Sequence, residues 1–176
     1  MNDTLISVIA RHAVSSPDKA AVVFKDELVT YRQLAARIAA AGRKLTAMGV
    51  KRGDCVLCTA LSKPGTLAVY FGIQYAGATA VSMDKNAAPE NAFSIYEDTN
   101  AVLYLTDRPM KGYEDRCTLY SLRDFYAAVC DEADSAAAGQ DVSGTGDGEA
   151  GNDRPAGGRV AADPEDIAEC RQVLAC

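Results

Sequence analysis

The sequence contains no tryptophan, a single histidine, and fewer lysines and arginines than aspartates and glutamates, 18 against 24. The resulting net charge of −6 excludes a nucleic-acid or anionic-membrane partner, because no basic stripe is present to neutralise phosphates. The one histidine, His12, lies in a short helical pattern and is interpreted as a structural or solvated residue. One imidazole and no second pair of closely spaced cysteines also argue against a zinc site.

Long apolar runs are also missing. No stretch approaches the roughly 18 uninterrupted apolar residues that a membrane-spanning helix needs. The first residues, MNDTLISVIARHAV, carry no basic segment followed by a long apolar one, so they do not resemble a secretory signal. A cytoplasmic protein is therefore expected, and its six cysteines should remain thiols.

Cys55 and Cys58 have the C-x-x-C spacing of many metal and redox sites. They lie in the apolar run of residues 54–61, which is typical of a strand. Residues three apart in a strand point to opposite faces of the sheet. The pair is therefore predicted to form two buried thiols rather than a shared site.

The first hundred residues alternate between strand and helix patterns. Two apolar runs on either side of residues 25–27 predict a hairpin. The capping-box pattern Thr30-x-x-Gln33 then begins a helix whose apolar residues recur at three- and four-residue steps until Gly49. Fewer than three heptads follow, so a core-facing helix is favoured over a coiled coil.

Further along the chain, strands are predicted at 54–61, 79–83 and 101–106, with helices from 62 to 77 and from 89 to 99 between them. A short strand at 118–122 and another helix follow. Such alternation predicts an α/β fold, a partial doubly wound and mostly parallel sheet with helices on both faces. The strands at 56–61 and 102–105 are apolar on both faces. We expect some of that apolar surface to be exposed and the chain to be marginally soluble.

Three regions are predicted: the α/β domain at 1–130, an acidic, Gly/Ala-rich disordered linker at 131–162, and a divergent tail at 163–176. The linker contains Gly146-x-Gly148-x-x-Gly151, which matches a dinucleotide fingerprint only as a string, because no strand precedes it and no helix follows. A faint calcium-loop pattern from Asp141 has Asn152 where the bidentate glutamate belongs. Both are interpreted as solvated linker.

Two stretches resemble the N-terminal region of the adenylate-forming (AMP-binding) superfamily, which includes acyl-CoA synthetases and peptide-synthetase adenylation domains. The first stretch is LVTYRQLAARIAAAGRKLTAMGVKRGDCV and the second is IQYAGATAVSMD. The motif positions are Leu28, Thr30, Tyr31, Leu34, Gly49, Gly53, Asp54 and Val56, then Ala76, Gly77, Ala78, Val81 and Asp84. Tyr75 replaces the usual lysine and Ser82 the usual proline. Both departures are interpreted as changes of surface and turn stiffness rather than of chemistry.

The resemblance implies a full-length enzyme that uses ATP, Mg²⁺ and either CoA or a carrier-protein phosphopantetheine to activate a small carboxylic acid. In the family, a Gly/Ser/Thr-rich phosphate loop follows a pattern that Asp166-Ile167-Ala168 resembles, but residues 169–176 depart from it. No residue here matches a catalytic, cofactor-binding or metal-binding position of the family, so no such residue and no cofactor is assigned to this chain alone.

Three interpretations follow from the sequence. The chain is an incomplete acid–CoA ligase, truncated by a frameshift, an early stop or a gene-boundary error, and inactive alone. Alternatively, it is a non-catalytic interaction module or half of a split enzyme that associates with the remainder. A small flavodoxin-like nucleotide binder would need a phosphate-binding turn, for which residues 61–65 are the only candidate, and they are more simply a helix start. The acid substrate, the thiol acceptor and the oligomeric state are not specified by the sequence.

Overall fold

The computed structural model describes residues 4–25, 27–60 and 64–138. Five helices and six strands lie within these ranges. The helices are α1 Leu5–Ser15, α2 Tyr31–Ala47, α3 Pro64–Tyr75, α4 Pro89–Asp98 and α5 Leu122–Ala138. The strands are β1 Ala20–Phe24, β2 Glu27–Thr30, β3 Cys55–Thr59, β4 Thr79–Met83, β5 Ala101–Leu105 and β6 Leu119–Tyr120. None of the described helices is both long and apolar enough to cross a bilayer.

The predicted hairpin and helix start are confirmed. Strands β1 and β2 pair antiparallel, and α2 begins directly after β2. The Thr30 hydroxyl accepts from the backbone N–H of Gln33 at 3.3 Å, and the Gln33 side chain accepts from the N–H of Thr30 at 3.0 Å. This reciprocal cap satisfies two backbone donors that a helix start otherwise leaves without partners.

The predicted parallel sheet is also confirmed. Four strands lie in the order β4-β3-β5-β6, and each neighbouring pair is parallel. Consecutive strands that run parallel need crossover connections, which α3 and α4 provide between β3, β4 and β5. The fold is therefore α/β, with helices on both faces of the sheet.

Strand β3 lies at the centre of the core because described elements cover both of its faces. Val56 and Cys58 belong to a cluster with residues of α2, α3 and α5. Leu57 belongs to a second cluster with residues of α4 and of the segment after β5, and Cys55 packs against that cluster. The two cysteines therefore point to opposite faces, as predicted. The expectation that β3 would expose apolar surface is wrong, because Val56 and Leu57 are both fully buried.

A third cluster joins the hairpin to the helices. Val29 of β2 packs with Leu34 and Ile38 of α2 and with Ala68 of α3. The hairpin thus lies outside the α2/α3 layer, and the sheet lies on the other side of that layer.

Helix α5 corrects the predicted boundary of the linker. The helix continues through Asp131, where the linker was expected to begin, as far as Ala138. Alanine and glutamate favour helix, Ala133 is buried in the core, and Glu132 pairs with Arg43 of α2 at 3.0 Å. Low hydrophobicity of this stretch therefore did not prevent helix formation, because Ala133 packs into the core. The rest of the predicted linker and the tail lie outside the described residues.

Helices α2 and α3 approach closely at Gly72. A Cβ added there would lie 2.3 Å from the Cβ of Ala41. We expect Gly72→Val to lower the free energy of unfolding by about 2–3 kcal/mol, since overpacking a tight contact outweighs the gain from removing a helical glycine. Urea denaturation followed by circular dichroism measures this loss. The matched control is Gln74→Val on the exposed face of α3, with an expected cost of about 0.5 kcal/mol. Equal losses in the two variants would contradict the close contact.

Candidate functional site

The candidate site lies at the carboxyl edge of the parallel sheet, between β3 and β5. From β3 the chain crosses over to β4 on one side, whereas β5 lies on the other side of β3. Such a reversal of strand order is a topological switch point, where open α/β sheets bind ligands in a crevice outside the carboxyl ends of the strands. We refer to the region formed by Thr59, Thr106, Asp107 and the first turns of α3 and α5 as the switch-point crevice.

Three buried hydroxyls lie at the base of this crevice. The Thr59 hydroxyl is 3.2 Å from the Tyr104 hydroxyl and 2.9 Å from that of Thr106. Thr59 and Thr106 are the two buried polar residues of the described chain, 3% and 5% exposed. Thr106 Oγ1 also accepts from the N–H of Arg108 at 3.1 Å. The hydroxyls therefore satisfy one another and tie β3 to β5, as buried polar groups require.

The Asp107 carboxylate occupies the N-terminus of α5. Its Oδ1 accepts from the Ser121 hydroxyl at 2.9 Å and from the backbone N–H of Arg123 at 3.0 Å. Ser121 in turn accepts from the N–H of Asp124 at 3.1 Å. A carboxylate is favourable at a helix N-terminus because it pairs with N–H groups that lack intrahelical partners. Asp107 thus caps the N-terminus of α5.

Beside this cap is a cleft of about 400 Å³, which is in the size range of small-molecule pockets. Its apolar walls come from Val69, Leu122 and the ring of Tyr126. The first turn of α3 lies so close to that ring that a Cβ on Gly65 would be 2.6 Å from it. The polar groups of the cleft are Thr66, Asp107 and Arg123.

Tyr126 joins the cleft to α2. Its hydroxyl accepts from the Arg37 guanidinium at 3.1 Å. Burial, and then a hydrogen bond to Cys130, raise the pKa of Tyr126 to about 12, against an opposing effect of Arg37. The phenol is therefore neutral at physiological pH and cannot serve as a base.

This raised pKa predicts a pH dependence of stability. The phenol loses its proton at about 12 in the folded state but near 10.0 when unfolded, so the unfolded state releases its proton first. Stability from this group is complete below pH 10 and falls as pH rises towards 12. We expect Tyr126→Phe to lose less stability than the parent protein over this window. Urea midpoints at a series of alkaline pH values test this, and parallel curves for the two proteins would contradict it.

Among the described residues, His12 and the four cysteines are absent from the lining of the cleft, although Cys58 directly precedes Thr59. Burial raises the pKa of the Cys58 thiol to about 12, which keeps it protonated. Cys117 is also buried, and burial raises its pKa although Arg116 opposes the shift. The His12 ring packs against Tyr31, with centroids 4.8 Å apart. Within residues 4–25, 27–60 and 64–138, no three His, Cys, Asp or Glu side chains cluster as metal ligands would.

The motif residues that carry the family resemblance build the scaffold. Gly49, Gly53 and Gly77 have positive φ angles of 92°, 90° and 77°, which explains glycine in these turns. Ser82 is exposed on the edge strand β4, as predicted. The tyrosine at position 75 does not alter the surface alone. Its ring packs against the third cluster, which joins the hairpin to α2 and α3, and a Cβ at Gly42 would lie 2.3 Å from the ring. That departure therefore alters packing between α2 and α3.

Sequence reasoning missed Thr59, Thr106 and Asp107. Thr59 is the last residue of β3, Thr106 and Asp107 come just after β5, and neighbouring parallel strands bring their carboxyl ends to one edge. Polar residues at strand ends were the available signal. The Gly146 and Asp141 motifs and residues 166–168 lie outside the described part of the chain.

Curated relatives match part of the chain. The 2-succinylbenzoate–CoA ligase of Bacillus cereus (strain AH820) is 28% identical over 112 residues, 64% of this chain and 23% of the ligase. A plipastatin synthase from Bacillus subtilis (strain 168) is 30% identical over 105 residues, 60% of this chain and 3% of the synthase. The chain thus spans about a quarter of the length of the ligases that it matches.

Solved structures share the fold. VinN in complex with L-aspartate superposes with a TM-score of 0.67 at 20% identity, over 76% of this chain and 39% of VinN. The O-succinylbenzoate Coenzyme A synthetase of Bacillus subtilis in complex with AMP gives 0.62 at 20% identity, over 68% of this chain and 32% of the synthetase. The family profile described as AMP-binding enzyme matches residues 9–168. This chain therefore belongs to the AMP-binding enzyme family.

Proposed function

We propose that this chain forms the N-terminal scaffold of an ATP-dependent acid–thiol ligase and is inactive without the rest of that enzyme. The family match over residues 9–168 carries the proposal, and the coenzyme A ligases among the relatives support the reaction class. Such a ligase first joins a carboxylate to the AMP part of ATP, releasing pyrophosphate, and then transfers the acyl group to a thiol, releasing AMP.

The α5 side of the switch-point crevice does not fit the phosphates of ATP. Phosphates bind at helix N-termini through backbone N–H groups, but the Asp107 carboxylate already occupies the N-terminus of α5 and would repel them. The Thr59 and Thr106 hydroxyls are engaged with each other. We therefore derive no step of adenylation from the switch-point crevice, whose contribution is to hold β3, β5 and α5 in place.

The glycine-rich stretch that follows α5 in the sequence is a poor substitute for a phosphate site. Residues 139–153 are rich in glycine but carry four acidic residues and no lysine or arginine. Backbone N–H groups in a glycine-rich segment can bind anions, yet this charge opposes a tetra-anion. The proposal thus assigns phosphate binding, metal binding and catalysis to parts of the enzyme that these 176 residues do not contain.

A second candidate differs only in how the remainder is supplied. The short match to the relatives, 23% of the Bacillus cereus ligase, also supports a separate chain that associates with its complement as half of a split enzyme. In both cases the described domain is a scaffold.

A fusion tests the proposal. This chain is placed in frame ahead of the part of the Bacillus cereus ligase that follows its matched region. Acid-dependent ATP–pyrophosphate exchange is then assayed with 2-succinylbenzoate and with a panel of other carboxylic acids. We expect exchange in the fusion and none in either part alone. A fusion that melts cooperatively but gives no exchange with any acid would overturn the proposed function.

A further inference from the structure

The hairpin is apolar on both faces although only one face is covered. In the register of β1 and β2, Val22 pairs with Val29 and Val23 pairs with Leu28. Val29 is buried, and Val22 packs on the same cluster. Successive strand residues point to opposite faces, so Val23 and Leu28 point outward, 67% and 56% exposed. We call this cross-strand pair the outer hairpin face.

This pattern is unusual for a surface hairpin. An antiparallel strand pair with one solvated face normally alternates apolar and polar residues, whereas continuous apolar strands are covered on both faces. The hairpin is a two-stranded sheet without further strand partners among the described residues, so both of its edges are open. Open apolar strands promote aggregation and are normally covered in native proteins. The outer hairpin face is therefore built to be covered.

The other exposed apolar side chains do not form such a pair. Leu5 and Val14 lie near opposite ends of α1, Met48 follows α2, and Leu67 lies on α3. Val102 and Tyr120 lie on neighbouring strands, but the β5–β6 register pairs Tyr120 with Leu105 rather than with Val102. Single exposed apolar residues are normal on protein surfaces and need no partner. Val23 and Leu28 differ because they are directly opposed in one register on an outermost layer.

We propose that the outer hairpin face is the surface on which the remainder of an AMP-binding enzyme packs, through an apolar face or strand of its own. The inference rests on the proposed function. The hairpin lies within the family match at 9–168, yet more than half of the VinN chain and more than three quarters of the Bacillus cereus ligase have no counterpart in this chain. The parts of the enzyme without a counterpart in this chain are what covers the outer hairpin face.

Hydroxyl-radical footprinting with mass spectrometry tests the surface on the 176-residue chain and on its fusion to the Bacillus cereus ligase remainder. We expect oxidation of Val23 and Leu28 to fall several-fold in the folded fusion. Val14, which is 53% exposed on α1, is the control and should react equally in both. Unchanged oxidation of the pair in a folded fusion overturns the proposal. Protection is read without ATP or acid, so a protected but inactive fusion rejects only the proposed function.

A variant of the chain alone gives a second test that does not depend on the fusion. Val23→Glu/Leu28→Lys places opposite charges across the strands, which a hairpin tolerates. We expect an unchanged melting temperature and weaker binding of a hydrophobic dye, whereas Val29→Glu should unfold the protein. Unfolding of the double variant, as expected for Val29→Glu, would assign the pair to the core and overturn the proposal. Dimerisation of the parent chain that this variant abolishes would also overturn it, with a second copy as the occupant.

Discussion

The 176-residue polypeptide is expected to give no acid-dependent pyrophosphate exchange above a blank without protein. Loss of a single preorganised donor to a transition state typically lowers a rate by about 10²- to 10³-fold. The proposed function assigns the phosphate donors, the metal ligands and the catalytic residues all to the remainder of the enzyme. Their effects combine, so turnover should be undetectable with short, medium-chain and aromatic acids alike.

The fusion to the Bacillus cereus ligase remainder is the positive control for this assay. It establishes that the acids, the ATP and the detection of exchanged pyrophosphate are adequate. Exchange by the polypeptide alone, at a rate that depends on an added acid, would show that the described domain carries chemistry that its switch-point crevice does not reveal.

Phe125→Ala is expected to cause the largest loss of stability among single substitutions in the described core, about 3–5 kcal/mol. Phe125 is fully buried where α5 packs on the sheet and on α2. Its ring also meets Tyr120 edge to face, with centroids 6.3 Å apart. Truncation to alanine removes this apolar contact and leaves a cavity that rigid neighbouring strands cannot fill. Urea denaturation measures the free energy of unfolding.

Leu67→Ala is the control for this substitution. Leu67 is 40% exposed on α3, so its truncation should lower the free energy of unfolding by much less, about 1 kcal/mol or below. If Phe125→Ala were no more destabilising than Leu67→Ala, α5 would not be part of the folded core. The continuation of α5 as far as Ala138 would then lose its basis.

Local patterns in the sequence predicted most of the elements. The capping box at Thr30, the stop at Gly49 and the uninterrupted apolar run around Val56 each have one physical meaning, and the structure has the corresponding cap, turn and buried strand. The two-residue period of a strand correctly predicted that the cysteines of the C-x-x-C pair point to opposite faces. Cys58 and Cys55 pack in different clusters.

What the sequence did not reveal depends on contacts between distant residues. Thr59 and Thr106 meet across 47 positions because β5 pairs with β3, and no local pattern specifies that strand order. The cover on both faces of β3 and the buried Ala133 on α5 are tertiary effects of the same kind. Composition alone therefore placed the start of the linker inside α5 and exposed apolar surface on β3, whereas Val102 of β5 is 39% exposed, as expected.

The same limit applies to the outer hairpin face. The sequence predicts two apolar strands around residues 25–27, but only the packing of Val29 on α2 shows which side of the hairpin is covered. The exposed side then follows from strand geometry. Apolar residues without a cover are thus informative only once the fold has been established.

Calorimetric titration of the 176-residue polypeptide with Mg-ATP tests the central claim most directly, namely that this chain is the scaffold of an AMP-binding enzyme without its nucleotide site. We expect only the heat of dilution for the polypeptide, because Asp107 occupies the N-terminus of α5 and the crevice hydroxyls are engaged. The fusion should show saturable binding under the same conditions. Micromolar binding of Mg-ATP by the polypeptide alone would contradict the account.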